Sequence, residues 1–328
     1  MSPRAAVLAV DGGNSKTDLA LVTDDGALRA LVNGPTISHQ QVALATGMER
    51  LAELAADARR RAGLSGPAEV GAFCLAGADF VSDVRALERG IGDLALADRV
   101  LVRNDAFGTL RAGSPSGWGI AIVCGAGVNA VGMAPDGRRA RLAGIGDLSG
   151  DWGGGYGLGL AALGAAVRAG DGRGEATSLA GLVPGHFGVR RAFDLSRAIY
   201  EERIGARRLE ELAPVVFDAA AAGDRVARGI ADRLADELAL MATAIARRLR
   251  IARREVDVVL SGGVLRTREP GFHARLAERL RAGIPRARPV RLAAPPVLGA
   301  ALLGLDELGM EAGGAVERRL RREFTKAS

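Results

Sequence analysis

The chain has 328 residues, of which 48% are hydrophobic, and it carries a formal net charge of +6 at pH 7. This length and apolar content are sufficient for two ordinary domains with a sizeable core, and they exclude an intrinsically disordered chain. The positive charge comes from arginines scattered among acidic residues, with Lys16 and Lys326 as the only lysines, so the clustered basic surface of a nucleic-acid-binding protein is not predicted.

The N-terminal residues lead directly into a strand. Residues 1–9 contain one arginine and a short apolar run, which leaves no room for the core and cleavage region of a signal peptide. No apolar stretch in the sequence reaches the roughly 18 residues of a membrane-spanning helix. We therefore expect a cytoplasmic protein that does not enter a membrane.

Strands and helices alternate through the first part of the chain. Residues 5–10, 19–22 and 28–32 are small, apolar or β-branched and are separated by turn residues, which predicts three antiparallel strands in succession. Over residues 42–62 apolar positions recur at helical spacing and Gly63 follows, which predicts an amphipathic helix. The α/β layer is completed by a predicted strand at 70–75, a helix at 82–90 and a strand at 99–102.

A similar order of elements begins after the Gly/Ser/Pro-rich residues 113–117, where we expect the chain to cross into a second domain. A strand, a glycine turn, a second strand and an Asp-Gly hairpin turn recur over residues 119–137, which predicts an internal duplication. The predicted domains are residues 1–114 plus 296–328, and residues 115–295 with helical insertions. The remaining predicted elements are helices at 155–169, 210–222, 224–251, 271–281 and 296–308, a charged C-terminal helix, and strands at 256–260 and 289–292.

Both cysteines lie in apolar, strand-like runs. Cys74 is in VGAFCLAG and Cys124 is in GIAIVCGAG, where a cysteine usually behaves as a small buried hydrophobic residue. Their number and spacing support neither a disulfide framework nor a paired-cysteine metal site. We therefore expect both thiols to be buried and reduced.

The glycine turn between the first two strands could bind phosphate. It lies in the segment AVDGGNSKTDLALV, which is not a Walker loop, because Ser15 precedes Lys16 and a strand follows instead of a helix. Successive backbone N–H groups in such a turn can form an anion site, to which the Ser15 and Thr17 hydroxyls would add donors. Asp11 at its start could hold a hydrated Mg²⁺ ion. The alternative is an ordinary hairpin turn without a ligand.

Two other segments combine polar residues with positions typical of sites. Asn104 and Asp105 lie at the carboxyl end of a predicted strand, where α/β proteins place reactive groups, although a helix N-cap explains the same residues. The segment GIGDLSGDWGGGYGLG, residues 144–159, contains acidic residues and Trp152 among glycines that permit close backbone approach to a ligand. A glycine turn at 262–263 follows a later strand.

In this order, the three glycine turns and the aspartate between them resemble the superfamily of sugar kinases, actin and heat-shock ATPases. Within it, residues 7–305 are similar to the N-acetylglucosamine kinase and BadF/BadG/BcrA/BcrD ATPase family. The resemblance implies two duplicated ribonuclease-H-like α/β domains with an interdomain cleft that closes over ATP. It also implies an ATP-dependent kinase that phosphorylates a hydroxyl of an amino sugar or N-acetylated amino sugar, with ATP and Mg²⁺ as cofactors and a small-molecule sugar as partner.

The resemblance further implies roles for individual residues. Asp105 falls where such kinases keep the carboxylate that accepts the proton of the sugar hydroxyl, and Asp11 would hold Mg²⁺ through water. The implied ATP-binding residues are Gly12, Gly13, Asn14, Ser15, Lys16, Thr17, Gly125, Ala126, Gly127, Gly262, Gly263 and Val264. The implied sugar-binding residues are Ser38, His39, Gly77, Asn104, Asn129 and Asp151.

Two departures from the family pattern leave a second function open. Ala126 and Val128 stand where hydroxyl residues usually flank the middle glycine of the second phosphate motif, so backbone donors and Asn129 remain there. Residues 38–40 read SHQ where the acetylamino-sugar kinases carry Asn-His-Trp, so the sugar is not specified. The alternative is an ATP-hydrolysing regulatory ATPase of the same fold with no sugar acceptor. Dimers are common among such kinases, so a homodimer is an assembly to test.

Overall fold

The computed structural model describes residues 4–327, which form two compact units. The first unit contains the chain up to Ala121, then Val131–Arg139, and the chain from Val290 onward. The second unit contains Ile122–Ala130 and Ala140–Pro289. The domain boundaries predicted from the sequence lie close to these divisions and remain a prediction.

The strands of the described residues form two five-stranded sheets. They are β1 (Val7–Gly12), β2 (Lys16–Val22), β3 (Leu28–Pro35), β4 (Ala68–Leu75), β5 (Ala97–Asn104), β6 (Gly119–Cys124), β7 (Val128–Met133), β8 (Arg139–Arg141), β9 (Val256–Ser261) and β10 (Ala287–Arg291).

The helices within residues 4–327 are α1 (Leu44–Ala62), α2 (Val81–Asp93), α3 (Asp105–Gly113), α4 (Gly154–Gly170), α5 (Leu179–His186), α6 (Ala192–Tyr200), α7 (Ala213–Ala221), α8 (Arg225–Leu249), α9 (Pro270–Gly283), α10 (Pro296–Glu307) and α11 (Ala315–Ala327). None of these helices is long and apolar enough to cross a membrane.

The two sheets repeat one strand order. The first has the order β3-β2-β1-β4-β5, and the second, read from its other edge, has the order β8-β7-β6-β9-β10. In the first sheet β1 and β2, and β2 and β3, pair antiparallel, as predicted, whereas β1, β4 and β5 are parallel. The matching orders confirm the predicted duplicated α/β fold.

Alternate residues of β1 pack into different hydrophobic clusters, because successive side chains of a strand point to opposite faces of its sheet. Leu8 and Val10 belong to a cluster that includes residues of α1 and α2. Val7 and Ala9 belong to a cluster that includes residues of α10 and α11. The first sheet is therefore covered on both faces, which leaves its strand ends as the place for a site.

Both cysteines are buried in strands, as the sequence predicts. Burial raises the pKa of the Cys74 thiol well above its ordinary value and that of the Cys124 thiol to about 12. Both therefore stay protonated at neutral pH and serve as small apolar side chains.

Close packing fixes α3 in the first unit. A Cβ placed on Gly299 of α10 would lie 1.7 Å from the Gly108 carbonyl oxygen of α3, so only glycine permits this approach. Arg111 of α3 is 1% exposed and forms hydrogen-bonded ion pairs with Asp306 of α10 and Glu317 of α11. Because α3 begins at Asp105, these contacts also fix a candidate site residue.

The helical part of the second unit differs from the prediction in two places. A single helix over 210–222 is wrong: a 3₁₀ helix, Ala206–Leu212, precedes α7. Pro214 has no N–H to donate to residue 210 and is favoured in the first turn of a helix, so it suits the start of α7 at this point. The sequence reading also missed the short helices α5 and α6, which lie between predicted elements.

Candidate functional site

The carboxyl ends of three parallel strands line up at one edge of the first sheet. Gly12 of β1 is paired in register with Leu75 of β4, and Leu75 with Asn104 of β5. The loops that follow these strands therefore start side by side, as is typical of ligand sites in α/β proteins. Asp11 precedes one strand end and Asp105 follows another, so the structure brings the two predicted acidic residues to the same edge.

Asp11 lies in an environment that disfavours its negative charge. Desolvation of its partly buried carboxyl, followed by repulsion from Asp105 and Asp18, raises its pKa to about 8, although Lys16 lowers it. Carboxylates concentrated in this way gain from a cation that neutralises them.

The carboxylates of Asp11 and Asp105 are the candidate ligands for Mg²⁺ at this strand edge. Within residues 4–327, no group of three or more His, Cys, Asp or Glu side chains is arranged to hold a metal directly. Mg²⁺ commonly uses one or two protein carboxylates and completes its octahedron with water and phosphate oxygens. Asp11, with Asp105 close enough to raise its pKa, supplies oxygens of this kind, so the residues fit an ion held through water.

The turn between β1 and β2 is a tight hairpin whose tip is open. The Gly13 N–H donates to the Lys16 carbonyl at 3.0 Å, and the Asn14, Ser15 and Lys16 residues are exposed. Lys16 Nζ is 2.6 Å from Asp18 Oδ2, which holds its positive charge beside the strand ends. The turn therefore presents amide, hydroxyl and ammonium donors to an anion.

Thr17 does not fit the predicted role of its hydroxyl. Its side chain is fully buried, and Oγ1 donates to the Pro35 carbonyl at 3.0 Å, which ties β2 to β3. The hydroxyl is engaged inside the sheet, because side chains alternate along β2 and this one points into the fold. The donors offered by the turn are those of its tip.

The sequence left open whether Asn104 and Asp105 form a helix N-cap or a site at a strand end, and the structure has a cap at the strand end. Asn104 is the N-cap of α3, since its Oδ1 accepts the Ala106 N–H at 3.2 Å. Asp105 is the first residue of that helix, where its carboxylate is favoured by the helix dipole. The cap thus positions the acidic residue at the strand edge.

The predicted sugar-binding residues of the first unit lie in the loops after β3 and β4. Ser38 is buried, and its Oγ accepts the Gln40 N–H at 3.3 Å. Gly77 has a φ of +81°, and a Cβ there would lie 2.8 Å from His39 Cε1, so the His39 ring occupies space that only glycine leaves open. The His39 Nδ1 atom is buried and has no hydrogen-bond partner among the described residues.

Asp79 is a polar residue of this edge that sequence reasoning missed. Its Oδ1 accepts from Asn104 Nδ2 at 3.0 Å, and its Oδ2 accepts from Gln40 Nε2 at 3.1 Å. The only signal for it was its place, a few residues after a strand whose neighbours also end in polar loops.

The second unit contains a pocket of about 670 Å³ at its glycine turns. This volume lies within the usual range of small-molecule sites. The predicted residues Gly125, Ala126, Gly263 and Val264 line it, as does Gly155 of the glycine-rich segment 144–159. The remaining lining residues were missed because no motif marks them: Glu210, Glu211, Ala213, Pro214, Phe217, Asp218, Arg266, Thr267 and Arg268.

Glycine is required where the turns of the second unit approach each other. Gly262 has a φ of +106°, and a Cβ there would lie 2.3 Å from the Cys124 carbonyl oxygen. Gly154 has a φ of +70°, and a Cβ there would lie 2.3 Å from the Ala126 carbonyl oxygen. A Cβ on Gly263 would meet nothing within 4 Å, so this glycine faces open space. The turns therefore leave open space at Gly263, which lines the pocket.

Asn129 and Asp151, the other predicted sugar-binding residues, also belong to the second unit. Gly144 packs on Asn129, since a Cβ there would lie 2.9 Å from Asn129 Oδ1. Asp151 accepts a hydrogen bond from the Ser149 hydroxyl. Trp152 beside it is covered by the Arg233 guanidinium, whose carbon lies 4.0 Å from the ring centroid.

Residues 8–304 match the model of the BadF/BadG/BcrA/BcrD ATPase family. The chain is 32% identical over 263 residues to N-acetylmuramic acid/N-acetylglucosamine kinase of Clostridium acetobutylicum, covering 79% of this chain and 85% of the relative. It is 26% identical to N-acetyl-D-glucosamine kinase of Dictyostelium discoideum, covering 91% and 97%.

A solved structure from Chromobacterium violaceum, proposed to be an N-acetylglucosamine kinase, is 26% identical, with a TM-score of 0.70 over 92% of this chain and 99% of that one. The family match covers nine-tenths of the sequence and both repeats of the fold. The chain belongs to the BadF/BadG/BcrA/BcrD ATPase family.

Proposed function

We propose that this protein is an ATP-dependent kinase that transfers the γ-phosphoryl group of ATP to a hydroxyl of an amino sugar or N-acetylated amino sugar. The observation that carries the proposal is that Asp105 and Asp11 lie at the strand edge that also carries the glycine turn, close enough for Asp105 to raise the pKa of Asp11. A base, a cation-binding carboxylate and an anion-binding turn are the parts that phosphoryl transfer needs.

Asp105 acts on the sugar. Its carboxylate orients the acceptor hydroxyl and takes its proton as the hydroxyl oxygen attacks the γ-phosphorus. The bond from that phosphorus to the bridging oxygen of ADP breaks, and ADP leaves with the electron pair. General-base catalysis of this kind contributes roughly 10²- to 10⁴-fold to the rate.

Asp11 and the turn after it act on the phosphates. Asp11 would hold Mg²⁺ through water, and the ion would supply positive charge that offsets the charge of the phosphates. The Gly13 turn, with Asn14, Ser15 and Lys16, binds phosphate oxygens through its exposed donors.

The pocket of the second unit binds the nucleoside of ATP. Phe217 and Val264 supply apolar surface, and the Gly125 and Gly263 turns allow the ligand to approach the backbone. The loss of hydroxyls at Ala126 and Val128 leaves these contacts to backbone donors.

The sugar is bound by short polar side chains, for which we propose Ser38, His39 and Asn104 with Gly77 in the first unit and Asn129 and Asp151 in the second. The names of the two curated relatives support N-acetylglucosamine, and one of them also N-acetylmuramic acid, as sugars to test. We propose a cytoplasmic location and a homodimer as the working form. Light scattering of the purified protein tests the homodimer.

The experiment compares the wild type with Asp105→Asn, and with Asp98→Asn as a control at the opposite end of β5. ADP release is followed with ATP, Mg²⁺ and a panel of N-acetylglucosamine, N-acetylmuramic acid, glucosamine and glucose. We expect sugar-dependent turnover that Asp105→Asn lowers by roughly 10²- to 10⁴-fold, with unchanged affinity for a non-hydrolysable ATP analogue. Undiminished turnover by Asp105→Asn would remove Asp105 from this role.

The replaced hydroxyls at Ala126 and Val128 favour one alternative, a regulatory ATPase without a sugar acceptor. The same assay separates the two functions, since a regulator releases ADP at one rate with and without sugar.

A further inference from the structure

Four side chains connect the phosphate turn to the helix that carries Asp105. Asn14 Nδ2 donates to Gln40 Oε1 at 3.4 Å, and Gln40 Nε2 donates to Asp79 Oδ2 at 3.1 Å. Asn104 Nδ2 donates to Asp79 Oδ1 at 3.0 Å. The four residues come from the loops after β1, β3 and β4 and from the end of β5, and all belong to the first unit.

We propose that Asp79, with Gln40, is a positioning residue for the kinase reaction, which links the occupied phosphate turn to the orientation of Asp105. This inference rests on the proposed function. The two residues do not take part in proton transfer; they hold, through hydrogen bonds, the groups that do.

Asp79 is the centre of the connection because both of its oxygens accept. One receives an amide donor from the phosphate side and the other from the helix side. Hydrogen bonds to a carboxylate are about twice as strong as those between neutral groups. A carboxylate between two amides therefore fixes both amide planes, which a neutral side chain does less well.

Asn104 passes this constraint to α3. Asn104 is 4% exposed, and its side-chain amide makes two hydrogen bonds. Nδ2 donates to Asp79, and Oδ1 accepts the Ala106 N–H and so caps the helix. Because the amide is planar, fixing Nδ2 also fixes Oδ1. The first turn of α3, and with it Asp105, then keeps the orientation that the cap sets.

Gln40 extends the constraint to the turn. Its own position is fixed by a hydrogen bond from its N–H to Ser38 Oγ, and its side chain reaches Asn14 in one direction and Asp79 in the other. Phosphate bound at Asn14 thereby restrains Gln40, and an empty turn leaves Gln40 and Asp79 freer to move.

The first experiment measures kinetics of Gln40→Ala, Asp79→Ala, the double variant and Asp79→Asn, with Asp98→Ala as the control. We expect Asp79→Ala to lower kcat about 10- to 100-fold, with KM values for ATP and sugar within about threefold of wild type. Gln40→Ala lowers kcat less, and the double variant equals Asp79→Ala, because Gln40 acts through Asp79. Asp79→Asn restores part of the rate, since its amide can accept from Asn104 and donate to Gln40 once the amides of Gln40 and Asn14 both flip.

The inference would be overturned if the fold-loss of kcat in the double variant equalled the product of the two single losses. A kcat of Asp79→Ala equal to that of Asp98→Ala would also overturn it. If the wild type phosphorylates no sugar, the proposed function fails by itself.

The second experiment needs no sugar. Hydrogen exchange of the first turn of α3 is followed by mass spectrometry with and without a non-hydrolysable ATP analogue and Mg²⁺. We expect the analogue to slow exchange there in the wild type and in Asp98→Ala, and to lose this effect in Asp79→Ala. Equal protection in Asp79→Ala would show that the turn and the helix are not linked through this residue.

Discussion

Replacement of Arg111 by methionine should destabilise the first unit. Arg111 makes four hydrogen bonds to two carboxylates, two to Asp306 and two to Glu317. Methionine fills similar space without charge, so Arg111→Met leaves Glu317, itself 3% exposed, with less compensation for its buried charge.

Breaking a buried ion pair by removing one partner costs about 3–5 kcal/mol. The lower end of this range applies to Arg111→Met, because Glu317 keeps its contacts with the Arg321 guanidinium at 2.7 Å and the Gly313 N–H at 2.9 Å. For a unit of this size, about 3 kcal/mol corresponds to a fall in Tm of roughly 6–12 °C.

The loss of stability in Arg111→Met should depend on pH. Burial alone would raise the pKa of Glu317, but hydrogen bonds from Arg111, the Gly313 N–H and Arg321 lower it to about 2. A carboxylate whose folded pKa is depressed contributes stability above its unfolded pKa of 4.5 and loses it as pH falls towards 2. The difference in Tm between wild type and Arg111→Met should therefore be largest near neutral pH and shrink below pH ~4.5.

Differential scanning calorimetry measures these transitions at neutral and acidic pH. Arg322→Met is the matched control, because Arg322 lies on the same helix as Glu317 but is exposed. A Tm of Arg111→Met within about 2 °C of the control at neutral pH would refute the reasoning, since that interval is the scale of a surface change.

Two further substitutions test the glycine turns and the sheet. Gly262→Ala should weaken binding of a non-hydrolysable ATP analogue at least about tenfold, because its Cβ would meet the Cys124 carbonyl at a strained φ. In the control Gly263→Ala the Cβ meets open space, so the Kd should stay within about threefold of wild type. Calorimetric titration measures both values. Thr17→Val should cost about 1 kcal/mol of unfolding free energy, since it removes the bond to the Pro35 carbonyl, and should leave the KM for ATP unchanged; a large rise in that KM would restore the hydroxyl as a phosphate donor.

Much of the fold could be predicted because its signals are local. The short apolar run of β1 and the turns before β2 and β3 predicted the antiparallel start, and the same order recurs in the second sheet. The 3₁₀ segment before α7 could not be told from a helix by periodicity, because its apolar residues repeat as those of a helix do, and Pro214 is the local signal for the start of α7.

The site was predictable as far as strand ends and glycine turns mark it. Asp11 and Asp105 follow from this rule, and the register of β1, β4 and β5 brings them to one edge. Asp79 could not be predicted from the sequence, since its partners Gln40 and Asn104 are far from it in the chain and meet it only through the fold. The pocket walls around Phe217 likewise depend on helix packing.

The central claim is that the γ-phosphoryl group passes from ATP to a sugar hydroxyl. Incubation of the wild type with ATP carrying a labelled γ-phosphate, Mg²⁺ and each sugar of the panel tests it most directly. The account predicts that the label is recovered in a sugar phosphate, in equal amount to the ADP formed, with at least one amino sugar or N-acetylated amino sugar. Recovery of the label only as inorganic phosphate, at one rate with every sugar and with none, would contradict it.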